Sequence, residues 1–267
     1  MNLLLYIYIF LIGITFGSFF TLAVYRIPRG EDITHTRSYC PKCNHKLSFW
    51  DMIPLFSYIF LGAKCRYCKE KIRPRYFILE FCSGIVFVLF ALSIRLNIYT
   101  LTVQTIVYFI FGLLYIAGLF IVSGIDKENI NIQNEVTLYL IMIETIYIIY
   151  LCIVDPTSIY RYVIYLLALA ILTMANTIYY KKKIKSNYTL ECLILLNIML
   201  IFTYEYCTIL TVIFTLLAMS IKVFIDKIKQ KRASYNKKKQ KLPIGFYLCV
   251  TNIITLLITN SIIFNRG

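Results

Sequence analysis

Residues 189–225, TLECLILLNIMLIFTYEYCTILTVIFTLLAMSIKVFI, make an almost unbroken apolar stretch of 37 positions. At 1.5 Å per residue a single helix of that length would be about 55 Å long, well beyond the roughly 30 Å of a bilayer's hydrocarbon. The stretch has to turn back on itself, and Tyr204-Glu205-Tyr206 is where a charge between two tyrosines interrupts it. The two halves, 189–204 and 205–225, then count as two spans. The same length criterion, applied outward, predicts spans near 3–25, 77–94, 101–125, 136–154, 160–180 and 244–264, eight in all. The first has no basic flank ahead of it and exceeds a signal-peptide core, so it is expected to be retained.

Composition agrees with lipid as the main solvent. Of 267 residues 60% are hydrophobic and 15% charged, and the mean hydropathy is +0.73. A soluble domain carries about 25% charged residues, so a water-soluble globule, a disordered chain and a secreted disulfide scaffold are all excluded. The expected fold is an all-α polytopic membrane protein. Its parts would be a first transmembrane helix (1–25), a cytoplasmic loop (26–76) and a multi-span domain (77–267).

The net charge of +15 is distributed by side rather than by patch. Residues 26–76 hold 11 Lys and Arg, residue 127 one, 181–185 four and 222–241 nine, all on one side of consecutive spans. Only Arg95, Arg161 and Arg266 fall on the other. The positive-inside rule puts the basic segments in the cytoplasm and both termini outside, as expected of a multi-pass plasma-membrane protein. Lys181-Lys182-Lys183 and Lys237-Lys238-Lys239 serve as topology signals that also attract anionic lipid headgroups. They are short loops between spans, not a folded basic surface with stacking aromatics, which excludes nucleic acid as a partner.

Residues 26–76 are too polar to cross. They contain Cys40-Pro41-Lys42-Cys43 and, 21 residues later, Cys65-Arg66-Tyr67-Cys68. Two such pairs match two knuckles sharing one tetrahedral zinc, which would organise a segment too small for a core of its own. The alternative is four reduced structural cysteines. With all four positions filled by thiolates, such a zinc is structural. His45 is a possible substitute ligand or a solvated loop residue. The other cysteines (Cys82, Cys152, Cys192, Cys207, Cys249) lie unpaired in apolar spans and read as small buried hydrophobes.

The order of features resembles the type IV prepilin peptidase family. The matching residues are Gly17-Ser18-Phe19, Tyr25-Arg26-Ile27-Pro28, Cys40-Pro41-x-Cys43, Trp50-Asp51-x-Ile53-Pro54-Leu55-x-Ser57, Cys65-Arg66-x-Cys68 and Arg75-Tyr76 with Glu80. Lys241-Leu242-Pro243-Ile244-Gly245-Phe246-Tyr247-Leu248 resembles the start of the family's last span. The resemblance implies a membrane aspartic endopeptidase that removes a short basic leader from type IV pilin-like precursors at the cytoplasmic face, on a protein-secretion pathway. It also implies N-methylation with S-adenosylmethionine in many members.

On that resemblance Asp126, in Ser123-Gly124-Ile125-Asp126, takes the place of the first catalytic aspartate; read alone it is an interfacial helix-end acid. The second belongs to a G-x-G-D motif, which this sequence lacks. Ser186 and Tyr188 stand for its glycines and Thr189 for its aspartate. Two carboxyls sharing a proton are the working unit of aspartic hydrolysis, and a threonine cannot replace one. Glu191 is the candidate second carboxylate, although two residues along a helix turn it about 200° from Thr189; otherwise it is a membrane-interface acid. Glu80 is expected to pair with a basic residue of the insert, Glu144 to hydrogen-bond a neighbouring helix, and Glu205 to be solvated. Two functions follow: a divergent peptidase using Asp126 and Glu191, or an inactive homologue that binds pilin precursors or assembly proteins.

Overall fold

The computed structural model describes residues 2–183, 187–232 and 242–266. Ser186 and the Lys237-Lys238-Lys239 run lie outside these. Apolar side chains at every helical face, with backbone polar groups satisfied within each segment, make helices the only workable elements in lipid. The described helices are α1 (Asn2–Arg26), α2 (Phe56–Phe60), α3 (Arg75–Ser93), α4 (Val103–Asn129), α5 (Asn134–Val154), α6 (Ile159–Lys183), α7 (Tyr188–Phe202), α8 (Glu205–Arg232) and α9 (Ile244–Arg266). Seven of them are long and apolar enough to cross a membrane. The eighth apolar helix, α7, has 15 residues and is about 22 Å long, shorter than a hydrocarbon core. The reversal expected at 204–206 falls at Thr203-Tyr204, with Thr203 Oγ1 donating to the Met199 carbonyl at 2.6 Å.

The chain forms two compact units. The first comprises residues 1–113 and 260–267. Its centre is the antiparallel α1–α3 pair, and Gly13 and Gly17 set how close the helices come. A Cβ on Gly13 would lie 2.7 Å from Gly84 Cα, and one on Gly17 2.6 Å from Glu80 Cα. Lipid tails are as apolar as leucine, so helices associate by such close packing and by interhelical hydrogen bonds. Ser83 Oγ supplies one of these, donating to the Gly13 carbonyl at 2.7 Å.

The insert between α1 and α3 is held by two buried charged side chains. Arg26, 3% exposed at the end of α1, donates Nη1 to the carbonyls of Asp32 (2.7 Å) and Thr36 (2.9 Å), and Nη2 to that of Arg37 (3.1 Å). Glu80 of α3 accepts the Leu55 N–H at 2.7 Å. Glu80 therefore binds a neutral backbone donor of the insert instead of the expected basic partner. Leu55 sits at φ 61° and ψ −50°, a tight positive-φ turn closed by Phe56 N–H on the Pro54 carbonyl at 2.7 Å, which this contact helps to fix.

The second unit, residues 114–259, packs the end of α4 with α5–α8 and most of α9. The Tyr115 ring stacks on Phe202 at 4.2 Å while its hydroxyl donates to Asn252 Oδ1 at 2.7 Å. A threonine ladder joins α8 to α9, with Thr211 against Thr255 at 2.8 Å and Thr215 against Thr251 at 2.7 Å. Glu144 is 1% exposed in mid-α5, and neither carboxyl oxygen has a hydrogen-bond partner among the described residues, unlike the helix-bridging role expected. Glu205 is part-exposed, as expected, and also bonded: the Tyr165 hydroxyl donates to Oε1, and Arg161 Nη1 lies 3.7 Å away.

Candidate functional site

The four cysteines of the insert are brought together by two hairpins built alike. In the first, Asn44 N–H bonds the Cys40 carbonyl (2.8 Å) and Cys40 N–H the His45 carbonyl (3.0 Å). In the second, Lys69 N–H bonds the Cys65 carbonyl (3.1 Å) and Cys65 N–H the Glu70 carbonyl (2.8 Å). The residue after each second cysteine is left-handed, Asn44 at φ 56° and Lys69 at φ 60°. Each hairpin closes with one antiparallel bridge, Tyr39 to Lys46 and Lys64 to Lys71. The turns aim both thiols of a pair at the same point.

All four Sγ atoms lie within 4.8 Å of one another, and Cys40 and Cys68 are 3.8 Å apart. A tetrahedron with metal–sulfur bonds of about 2.3 Å has sulfur–sulfur edges of about 3.8 Å, so the cluster could hold a metal ion of that kind. Its protonation also fits. Burial opposes ionisation of Cys65, but the N–H groups of Cys68 and Tyr67, with the neighbouring thiols, bring it down to about 7. Cys68 accepts the Glu70 N–H, yet burial and the three other thiols push it up to about 11. Packed this closely, the thiols favour one thiolate at Cys65 and oppose a second at Cys68, and a cation would relieve that opposition. The His45 ring lies 3.6 Å from that of Tyr67, and the four-sulfur set is complete without it.

The second candidate is the acid cluster of the 114–259 unit. α4 runs one turn beyond the expected span and ends at Ile130, left-handed at φ 53°, whose N–H bonds the Asp126 carbonyl at 2.9 Å. Asp126 is thus held inside the last turn of the helix, with no solvent exposure. Its Oδ2 accepts the Phe246 N–H at 2.8 Å and the Tyr188 hydroxyl at 3.0 Å. The Tyr188 oxygen in turn accepts the Gly245 N–H at 3.1 Å. Gly245 and Phe246 are in the first turn of α9, where unpaired amides and the helix dipole favour an anion. A side chain on Gly245 would put its Cβ 3.1 Å from Asp126 Cγ, so this approach depends on the glycine. Asp126 Oδ1 is buried with no hydrogen-bond partner among the described residues.

Glu191, 4% exposed in the first turn of α7, accepts the Ile132 N–H through Oε2 at 3.4 Å. Thr189 is exposed, and its hydroxyl donates to Asn187 Oδ1, which also caps α7 through the Thr189 N–H. Thr189 and Glu191 therefore leave α7 in different directions. Ile132 lies beside both acids: its Cδ1 is 3.3 Å from where a Gly245 Cβ would stand. Reading the sequence identified Asp126, Glu191, Tyr188 as a replaced glycine, and the Pro243–Gly245 segment, but not the bond from Tyr188 to Asp126. A phenol at the first helical position, where a glycine was expected, was the available signal.

Residues 11–94 match the family of the bacterial peptidase A24 N-terminal domain. Over 155 residues the chain is 36% identical to a prepilin leader peptidase/N-methyltransferase of Vibrio cholerae, covering 54% of this chain and 57% of that protein. It is 30% identical over 137 residues to a protein of the same name from Klebsiella pneumoniae (49% and 56%). A third, from Neisseria gonorrhoeae, is 29% identical over 160 residues (51% and 53%). The chain spans about half the length of these curated relatives. No solved structure matches.

Proposed function

We propose that this member of the type IV prepilin peptidase family engages pilin-like precursors at the cytoplasmic face of the membrane without a completed pair of catalytic carboxylates. One observation carries the reading: the Tyr188 hydroxyl, on the residue that replaces a motif glycine, is bonded to the Asp126 carboxylate. A working dyad needs a second carboxyl within a few ångströms of the first, and water or substrate must reach the pair. Here Tyr188 and the first turn of α9 take that space, Asp126 has no exposure, and Thr189 faces outward. Asp126 acts as a cap that fixes α9 against α4 and α7, and the family's substrate contacts would be kept for recognition alone.

The positive-inside distribution supports a cytoplasmic location for 126–133, 184–187 and 242–245, and an outside location for both termini. Zinc held by Cys40, Cys43, Cys65 and Cys68 would give the insert a rigid centre that a segment of its size cannot build from apolar side chains. N-methyltransferase stands in the relatives' names; transfer of a methyl group from S-adenosylmethionine to a new precursor amino terminus is the corresponding assay here.

A second reading, endopeptidase action by Asp126 and Glu191, is favoured by the burial of both acids in the same unit, with Glu191 bonded to Ile132 N–H and both Asp126 and Ile132 next to Gly245. It requires Tyr188 to swing out when substrate binds. The test uses full-length protein in lipid vesicles and a pilin-like precursor with a basic leader. Non-cleaving recognition predicts that uncut precursor co-purifies with the vesicles and that Asp126→Asn leaves this association in place. Cleavage by the wild type that disappears in both Asp126→Asn and Glu191→Gln would replace this reading with the second. Absence of both association and cleavage would remove pilin precursors as partners.

A further inference from the structure

The insert carries an apolar face that neither the metal-binding cluster nor the acid cluster explains. Within residues 49–60, Phe49, Trp50, Phe56, Ile59 and Phe60 are exposed, Trp50 at 71% and Phe60 at 84%. Trp50, Phe56, Phe60 and Arg66 are among the residues that line a groove of about 500 Å³. Arg66 Nε donates to Asp51 Oδ1 at 2.7 Å, which sets a charged pair beside the aromatic residues of the groove. Contiguous exposed apolar surface with a polar border marks an interaction site.

Three observations identify its partner. First, the face is tied to a membrane-spanning helix near the level where that helix leaves the lipid. Leu55 N–H bonds Glu80, and the Tyr58 ring lies 5.3 Å from that of Phe77. Glu80 is five residues, about 7.5 Å, into the 19-residue helix α3, which is about 28 Å long in all. With α3 filling a bilayer of about 30 Å, residues 55 and 58 lie within roughly the outer 8 Å of the cytoplasmic leaflet's hydrocarbon, just below the headgroups. Second, the type of side chain fits that depth, where tryptophan and other aromatics are enriched. Third, residues 26–76 carry 11 Lys and Arg against four acids, a charge complementary to an anionic leaflet.

We propose that residues 49–60 form an interfacial wedge that inserts into the cytoplasmic leaflet, with acidic phospholipid as its partner. The aromatic side chains enter the acyl region beside α3 while the basic residues around the hairpins meet the headgroups. The insert would then lie on the membrane, not extend into the cytoplasm.

Trp50 is the chain's single tryptophan, so the unmodified full-length protein reports on this face directly. It is reconstituted into vesicles of phosphatidylglycerol and phosphatidylcholine in which the acyl chains of one lipid or the other are brominated. The expected result is blue-shifted Trp50 emission, loss of most of it with brominated phosphatidylglycerol, a smaller loss when bromine is on phosphatidylcholine, and little effect of aqueous acrylamide. Water-like emission quenched by acrylamide and indifferent to bromine overturns the insertion. Equal quenching by the two brominated lipids overturns the preference for acidic headgroups. A Trp50 shielded from both bromine and acrylamide means that protein covers the face, which also refutes the proposal.

Discussion

Removing one oxygen atom tests whether Tyr188 acts as described. Tyr188→Phe keeps the ring and deletes a hydroxyl that donates to Asp126 Oδ2 and accepts from Gly245 N–H. The lost bond to a carboxylate costs about 1.5–3 kcal/mol, and leaving the Gly245 donor unsatisfied adds about 1–3 kcal/mol if no water replaces the oxygen. Allowing for partial relaxation, we expect a destabilisation of about 2–4 kcal/mol. The assay is equilibrium unfolding of purified protein in mixed detergent micelles, read by helical circular dichroism, with Asp126→Asn and the double variant completing a cycle. Contacting residues couple, so the double variant should be less destabilised than the sum of the two by about 1 kcal/mol. Amide exchange should report the same event locally, with Gly245 N–H exchanging faster in Tyr188→Phe. A variant within about 0.5 kcal/mol of wild type, with zero coupling to position 126, would refute the capping role.

The cysteine cluster predicts about one zinc per chain by elemental mass spectrometry, lost in Cys40→Ser/Cys65→Ser along with the resistance of residues 64–71 to trypsin. Metal must displace thiol protons, so retention should fall as pH falls; a variant that keeps its zinc would dismiss the site. Burial works against the Asp51 carboxylate, but hydrogen bonds from Ser48 and Arg66 outweigh it and hold its pKa below the usual range. A lowered folded value means stability that is complete above the unfolded value of about 4 and lost as pH drops through the folded one. Pepsin resistance of the insert should therefore fall, as pH drops below about 4, more steeply in wild type than in Asp51→Asn; parallel profiles would rule out the contribution. Gly17→Leu drives a Cβ toward the backbone of Glu80 and should cost about 3 kcal/mol. Gly30→Ala, with nothing within 4 Å of the added carbon but φ at 65°, should cost about 1 kcal/mol. The reverse ranking in unfolding experiments would contradict the close α1–α3 approach.

The helices were legible because the bilayer sets their length and every face of each must be apolar. Hydropathy misplaced the end of α4 for the same reason. Asp126-Lys127-Glu128 closes an apolar run, yet the helix continues until Ile130 adopts a left-handed conformation. That extra turn directs Asp126 into protein and away from headgroups. The cysteine cluster was legible because four ligands at two short spacings leave few alternatives. The bonds from Tyr188 to Asp126, from Leu55 to Glu80 and from Arg26 to three carbonyls were not. Each joins a side chain to a partner whose position depends on folding, and two of the three use backbone groups that every residue possesses. Glu144 marks the opposite case: the sequence flags an unusual intramembrane acid, but neither carboxyl oxygen has a hydrogen-bond partner among the described residues.

The two cysteine hairpins also bear on how the chain is laid into the bilayer. Both are complete by Lys71, four residues before α3 begins. During synthesis, a bound ion could lock residues 40–68 into a body too bulky and too charged to follow either neighbour through lipid, before the next hydrophobic helix has emerged. The cluster would then work as a stop between the first two membrane crossings, committing the alternation of every later helix while most of the protein is still unmade.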